Sequence, residues 1–229
     1  MNRQLALSIQ LNDDATLADF SFGSNALLQQ QLLRALDGNG DRLFYLWGAS
    51  GSGKSHLLQA CCQAMPHAAS IYLPLQILRE WGPESIEDLG NQSLIALDDM
   101  DAIAGDKAWE EALFHLFNRV RDNGNTLLLM SSRQPLSSLA IQLADLKSRL
   151  AWGLVVQIHE MDDELKINTL QHRAKKRGFV LPFAVGQFLI NRCARNMHDL
   201  QTILDELDKA SLAAQRKITL PFVKDVLGL

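Results

Sequence analysis

Short apolar stretches alternate with amphipathic ones over the first two thirds of the chain. Five of these stretches are four or five residues long and almost continuously apolar, which is typical of strands buried on both faces of a parallel sheet. They lie at Leu43–Trp47, Ser70–Leu73, Leu94–Leu97, Thr126–Met130 and Leu154–Ile158. The alternation therefore predicts an α/β domain with a central parallel sheet flanked by helices.

The segments between these strands have helical spacing. Leucines three and four residues apart predict a helix over Ser24–Leu36, which the cluster Gly38–Gly40 ends. Further helices are predicted at Ser55–Met65, at Trp109–Val120 and in the stretch that ends at Arg149.

From Asp162 onward the pattern is helical throughout. Helices are predicted at Asp162–Lys176, Pro182–Arg195, Met197–Ala214 and Pro221–Leu227. The change near Glu160 divides the chain into an α/β domain, residues 17–160, and a small all-helical domain, residues 161–229; residues 1–16 form an extended N-terminal segment.

Composition narrows the class of protein. Of the 229 residues, 47% are hydrophobic and 21% charged, as in ordinary globular proteins, and the net charge of −4 argues against a protein that coats nucleic acid or an anionic membrane. No apolar run approaches the ~20 residues of a membrane-spanning helix, and the N-terminus turns polar too early for a secretory signal. Three cysteines without CxxC spacing fit a reducing compartment. We expect a cytoplasmic protein without a membrane partner.

The segment Gly48–Ser55, GASGSGKS, matches the P-loop pattern at every defined position, between a predicted strand and a predicted helix. Glycines let backbone N–H groups point at phosphate oxygens, Lys54 would reach the β- and γ-phosphates, and the Ser55 hydroxyl would bind Mg²⁺. The alternative is a glycine- and serine-rich turn that matches by accident. The residues expected to bind a nucleoside di- or triphosphate are Gly48, Ser50, Gly51, Ser52, Gly53, Lys54, Ser55 and His56.

Polar residues also follow two other strands. Leu94–Leu97 runs into Asp98 and Asp99, and the carboxyl ends of parallel strands open beside a bound ligand. Asp98 is expected to hold Mg²⁺ together with Ser55, and Asp99 to polarise a water for attack on the γ-phosphate. An Asp pair that merely caps the next turn is the alternative. Ser131 would bring a hydroxyl to the γ-phosphate, although serines commonly follow strands without such a role.

The P-loop, the Asp-Asp strand end, the polar end of another strand and the C-terminal helices together resemble the AAA+ ATPases. Leu146–Gly153, LKSRLAWG, resembles the LKSRFxWG motif of the DnaA replication initiators, and Phe20–Asn25 resembles the entry to their nucleotide pocket. The similarity extends over residues 17–213 and implies ADP or ATP with Mg²⁺ as the ligand.

Differences from the initiators point to one branch of that family. We expect neither a helix-turn-helix domain after the helical domain nor an N-terminal partner-binding domain. The stretch between Leu73 and Leu94, broken at Gly82–Pro83, leaves little room for the extra helix with which initiators grip origin DNA. What remains is similar to the short DnaA homologues of the DnaA/Hda branch. This resemblance implies a negative regulator of replication initiation that links the DNA polymerase sliding clamp to DnaA and stimulates hydrolysis of DnaA-bound ATP.

The start of the chain resembles a clamp-binding peptide, in which a Gln precedes Leu-x-Leu and a last aliphatic residue. Gln4, Leu5, Leu7 and Ile9 are the residues that match. Such a peptide inserts apolar side chains into a pocket while its Gln forms hydrogen bonds. An edge strand would produce the same alternation.

By the same resemblance Arg149 is an arginine finger, whose guanidinium would stabilise the charge on the γ-phosphoryl group of ATP bound to DnaA. The alternative is a surface arginine near a helix C-terminus, where the dipole favours a cation.

The helical domain departs from the family pattern at His198, which stands where the sensor 2 motif has an arginine. An imidazole senses a triphosphate less strongly than a guanidinium. The resemblance therefore implies a protein that works with bound diphosphate and hydrolyses ATP weakly at most. The basic run Arg173–Arg177 predicts a solvated helix face, or alternatively a weak contact with DNA that passes through the clamp.

Three functions fit these features: the adaptor just described, an autonomous AAA+ ATPase such as a helicase loader, and a factor that recruits DnaA to other loci. A homo-dimer is also compatible with an AAA+ core, and Asn118 and Arg119 are candidates for a protomer interface.

Overall fold

The computed structural model describes residues 15–65 and 69–229. Within them the chain forms two compact units. The first contains the residues up to Ala49 together with Lys54–Ile158, and the second contains Ser50–Gly53 and His159–Leu229. The residues that resemble a clamp-binding peptide lie outside the described range, and their role stays a prediction; they are Gln4, Leu5, Leu7 and Ile9.

The first unit is built on a five-stranded sheet in the order β2-β3-β4-β1-β5, with every neighbouring pair parallel. The strands are β1 Leu43–Trp47, β2 Ser70–Pro74, β3 Leu94–Asp98, β4 Leu127–Ser132 and β5 Leu154–Gln157. The predicted fold class, an AAA+ α/β domain followed by a small helical domain, is confirmed.

Helices cover both faces of this sheet. They are α1 Ala26–Leu36, α2 Lys54–Ala64, α3 Leu75–Leu78, α4 Lys107–Asn123 and α5 Ala144–Leu150, with 3-10 turns at Pro83–Ile86, Met100–Ala102 and Leu136–Ser138. Alternate strand residues enter separate cores, because successive side chains point to opposite faces. Phe44 packs in the core that contains α1 and α2, whereas Tyr45 packs in the core that contains α4 and α5.

The second unit has its own apolar core. Its helices are α6 Asp163–Lys176, α7 Phe183–Arg192, α8 Met197–Ala214 and α9 Leu220–Leu227. The prediction that one helix reaches Arg195 was wrong by three residues. Asn196 instead adopts an extended conformation and caps α8, accepting a hydrogen bond from the Asp199 N–H, so the chain must leave the helix before it. Among the described residues, no helix is both long enough and apolar enough to cross a membrane.

Candidate functional site

Strand order brings the polar strand ends together at one edge of the sheet. β4 lies between β1 and β3, with Trp47 paired to Ser132 and Leu97 paired to Met130. The P-loop, which follows β1, and Asp98, which ends β3, therefore lie on either side of Ser131 and Ser132.

The P-loop is curled around its own lysine. Gly51 and Gly53 have φ of 81° and 93°, a left-handed region that favours glycine. Lys54 begins α2 and is buried, and its Nζ donates to the carbonyl oxygens of Gly48 and Ala49, each at 2.8 Å. Burial lowers the pKa of Lys54, an effect that the nearby carboxylates of the Asp98–Asp101 segment oppose.

The other predicted P-loop residues differ in exposure. Ser50 and Ser55 are exposed, whereas Ser52 is buried. His56 is half-buried and stacks on Phe20, with ring centroids 6.0 Å apart. The segment that begins at Phe20 thus packs against the first turn of α2.

Both carboxylate oxygens of Asp98 accept hydrogen bonds from hydroxyl groups. Asp98 is 2% exposed; the Tyr72 hydroxyl donates to Oδ2 at 2.6 Å, and the Ser131 hydroxyl donates to Oδ1. Ser131 in turn accepts the N–H of Asp99 at 3.1 Å. Sequence reasoning missed Tyr72. Its only signal was a tyrosine near the end of the strand that pairs with β3.

Asp99 has the unusual backbone of a residue that turns the chain sharply. Its φ of 59° and ψ of 54° are left-handed, and the 3-10 turn Met100–Ala102 follows at once. Burial raises the pKa of Asp99, and the charges of Asp98 and Asp101 raise it further. A carboxylate with a raised pKa is a stronger base, which suits the predicted role.

Asp101 organises the neighbouring strand end. It accepts hydrogen bonds from the Ser132 hydroxyl at 3.1 Å and the Arg133 N–H at 2.9 Å, and it pairs with the Arg133 Nε at 3.7 Å. These contacts hold the chain that leaves β4 against the chain that leaves β3.

The donor set fits Mg²⁺. The Ser55 hydroxyl and the Asp98 carboxylate are hard oxygen ligands, and Mg²⁺ bound with nucleotide takes few protein ligands, with phosphates and waters completing its shell. The described residues contain no group of three or more His, Cys, Asp or Glu that could hold a metal by themselves.

Arg149 lies on α5 and is held by α4. Its Nη1 donates to the Oδ1 of Asn118, and its Cζ stands 4.0 Å from the centre of the Phe114 ring. Arg149 is half-buried in this arrangement. A hydrogen bond and a cation–π contact together restrict the guanidinium to few orientations.

The predicted interface role of Arg119 required an exposed helix end, and Arg119 does not lie at one. It is half-buried and donates to the carbonyl oxygens of Leu89 and Ile86 at 2.7 and 3.0 Å. It therefore ties the loop before β3 to α4.

His198 lies on the first turn of α8, two residues after the N-cap Asn196, and its side chain is exposed.

Comparisons with known proteins agree with this architecture. Residues 163–227 match the model of the Hda lid domain, and residues 83–157 match that of the bacterial DnaA ATPase domain. An uncharacterised protein of Haemophilus influenzae is 45% identical over 231 residues, which cover all of both chains.

The chain belongs to the DnaA/Hda branch of the AAA+ proteins.

Solved structures show how widely this fold is shared within and beyond the DnaA/Hda branch. Domain III of Thermotoga maritima DnaA superposes with a TM-score of 0.78 at 22% identity, covering 95% of this chain and 97% of that one. AMPPCP-bound DnaA from Aquifex aeolicus gives 0.70 at 22% identity, over 88% and 67% of the two chains. The Thermotoga maritima RuvB branch-migration motor gives 0.69 at 14% identity, over 93% and 71%.

Proposed function

We propose that this protein is a nucleotide-bound AAA+ adaptor that represses replication initiation by presenting Arg149 to ATP bound on DnaA. The observation that carries the proposal is the restraint of Arg149 by Asn118 and Phe114, within a segment that resembles the LKSRFxWG motif. The position and orientation of a catalytic group decide much of its contribution to the rate, so the restraint of Arg149 supports this role.

The P-loop serves, in this proposal, as a binding site for ADP or ATP that sets conformation. Lys54 would exchange the carbonyl oxygens of Gly48 and Ala49 for phosphate oxygens, and the loop N–H groups would surround the phosphates. Bound Mg²⁺, held by Ser55 and Asp98, would neutralise phosphate charge. Support comes from the family, since a DnaA of this fold has been solved with AMPPCP.

Hydrolysis by the protein itself is expected to be weak. His198 replaces the arginine of the sensor 2 motif, and an imidazole is a weaker and pH-dependent partner for a triphosphate. Asp99, which has a raised pKa, nevertheless favours the alternative of an autonomous ATPase such as a helicase loader. Vigorous turnover by the purified protein, lost in Asp99→Asn, would establish that alternative.

The decisive experiment measures phosphate release from ATP-DnaA in the presence of DNA-loaded clamp and this protein. Because arginine fingers contribute about 10³–10⁵-fold to the rate, Arg149→Ala should remove nearly all stimulation. Arg149→Lys should not restore it, because an ammonium lacks the planar donor pattern. The exposed Arg195→Ala is a control that keeps the same loss of charge. Equal stimulation by wild type and Arg149→Ala would end the proposal.

The sliding clamp is the proposed tether, through Gln4, Leu5, Leu7 and Ile9. Gln4→Ala combined with Leu7→Ala should abolish clamp pull-down and leave nucleotide binding intact. If pull-down is unchanged, the clamp assignment is wrong and a factor that recruits DnaA by another route is favoured.

A further inference from the structure

A buried carboxylate on α4 binds two segments outside its own helix. Glu110 is 1% exposed, although Lys107 and Ala108 in the same first turn are exposed. A charge at this depth must be compensated by hydrogen bonds.

The bonds of Glu110 all come from backbone N–H groups. Its Oε1 accepts from Gly105 at 2.8 Å and from Gln142 at 3.1 Å, and its Oε2 accepts from Gln142 at 2.9 Å and from Leu143 at 2.7 Å. The same two segments also meet directly, because the Gln142 side-chain amide donates to the Gly105 carbonyl at 3.3 Å. Glu110 is thus the centre of a junction between residue 105 and residues 142–143.

Each of these segments leads to a functional element. Gly105 ends the turn that follows Asp98 and Asp99 at the nucleotide site. Leu143 is the N-cap residue of α5, the helix that carries Arg149, and the apolar Leu143 side chain cannot cap that helix itself. Glu110 therefore links the start of the Arg149 helix to the turn that follows Asp98 and Asp99.

Helix α4 consequently holds α5 at two points. Glu110 binds the backbone at its start, and Asn118 binds Arg149 near its end. Residues eight apart on a helix are separated by about 12 Å, close to the length of the seven-residue α5. Buried Leu146 and Leu150 pack α5 into the apolar core, and the polar attachments at its two ends set its direction relative to α4.

We propose that Glu110 is a positioning residue for the arginine finger: its carboxylate fixes the N-terminal end of α5 and so positions Arg149 for contact with the ATP of a partner. This inference rests on the proposed function. Glu110 does not touch nucleotide in this role; it acts through the backbone of residues 142–143.

The test uses Glu110→Gln, which keeps the size of the side chain but turns one acceptor oxygen into an N–H donor. Stimulated phosphate release from ATP-DnaA should fall at saturating protein, by about tenfold, because displacements of roughly 1 Å can cost up to 10²-fold. The half-saturating concentration should stay unchanged, since the buried Glu110 side chain cannot itself contact a partner. Asp106→Ala is the matched control. Asp106 caps the same helix through Ala108 and Trp109 and does not bond to residues 142–143.

Two variants of Leu143 keep the inference testable if Glu110→Gln folds poorly. Leu143→Pro removes the N–H that binds Oε2, at a φ of −76° that proline accepts, while Leu143→Ala removes the side chain and keeps that N–H. Stimulation should fall more in Leu143→Pro. Amide hydrogen exchange at Gln142 and Leu143 should accelerate in Glu110→Gln and stay at the wild-type rate in Asp106→Ala.

The outcomes separate the two proposals. Loss of stimulation in Arg149→Ala with full stimulation in Glu110→Gln would refute the positioning role and leave the finger intact. Wild-type stimulation in Arg149→Ala would overturn both. A rise in half-saturating concentration without a fall in the maximal rate would mean that Glu110 supports docking, and the inference would be wrong.

Discussion

The hydroxyl groups of Tyr72 and Ser131, which donate hydrogen bonds to Asp98, give a quantitative prediction about the candidate magnesium site. Tyr72→Phe removes only the hydroxyl that donates to Oδ2 at 2.6 Å. The chain offers a control in Tyr45, whose hydroxyl donates to the neutral backbone carbonyl of Gln134 at 3.0 Å and has the neutral Ser132 hydroxyl as its other partner. Both substitutions delete a tyrosine hydroxyl. In Tyr72→Phe the lost hydroxyl donates to a charged acceptor, and in Tyr45→Phe it donates to a neutral one.

The acceptor's charge sets the expected magnitude. Hydrogen bonds to charged groups contribute about 1.5–3 kcal/mol and those between neutral groups about 0.5–1.5 kcal/mol. Because Tyr72 is half-buried, we take the lower half of the first range, so Tyr72→Phe should lower the free energy of unfolding by about 2 kcal/mol and Tyr45→Phe by about 1 kcal/mol. In an Asp98→Asn background the cost of Tyr72→Phe should fall to about 1 kcal/mol, since the acceptor is then neutral.

Urea denaturation followed by tryptophan fluorescence measures these values with reporters in the first unit. The four tryptophans all lie in that unit, at positions 47, 81, 109 and 152. A valid comparison requires the same m-value in all variants, since a change in m would mean that the unfolding transition itself had changed. If Tyr72→Phe costs no more than Tyr45→Phe, or if its cost is the same with Asn at position 98, the hydroxyl does not stabilise a charged Asp98 and the reasoning fails.

Two other predictions concern ionisable groups. The pKa of Asp99 in the folded protein lies above its ordinary 3.8, so ionising this group lowers the free energy of unfolding. This loss of stability is absent below pH 3.8 and is complete once the pH has risen through the folded pKa. Asp99→Asn should therefore gain stability relative to wild type toward neutral pH. Denaturation curves over a pH series test this, and a difference that shrinks with rising pH would contradict it. Burial raises the pKa of Cys62 to about 12 and also raises the pKa of Cys61 and of the less buried Cys193. Because Cys193 is the more accessible thiol, a thiol reagent at mildly alkaline pH should modify it first and reach the other two only on unfolding. Mass spectrometry of the labelled, folded protein gives the order of reaction; labelling of Cys61 as fast as Cys193 would show that their burial is not maintained.

Local sequence patterns predicted most of the helices and strands. The observed β1 has the predicted bounds, Leu43–Trp47, because a buried parallel strand must be apolar on both faces and Gly48 follows it at once. α8 likewise spans its predicted Met197–Ala214. The end of α7 was misplaced because the capping of the next helix by Asn196, rather than apolar spacing, decides where the chain leaves it.

The sequence predicted only part of the candidate site. A P-loop and two aspartates after a strand are local signals, and the parallel topology brings Lys54, Asp98, Asp99 and Ser131 to one edge; their roles remain predictions. A glutamate on the apolar stripe of the helix that includes Leu113, Phe117 and Val120 was a further signal, since a buried charge demands partners. Which partners it has, the sequence does not say.

By itself, then, the sequence determined the alternation of strands and helices, the phosphate-binding loop and the residues available for chemistry, because these depend on neighbours along the chain. Only the tertiary structure decided that Tyr72 binds Asp98, that Asn118 and Phe114 hold Arg149, and that Glu110 joins Gly105 to Leu143. These contacts join residues from 5 to 35 positions apart, and most depend on strand order and on how α4 packs against the sheet, which no local pattern encodes.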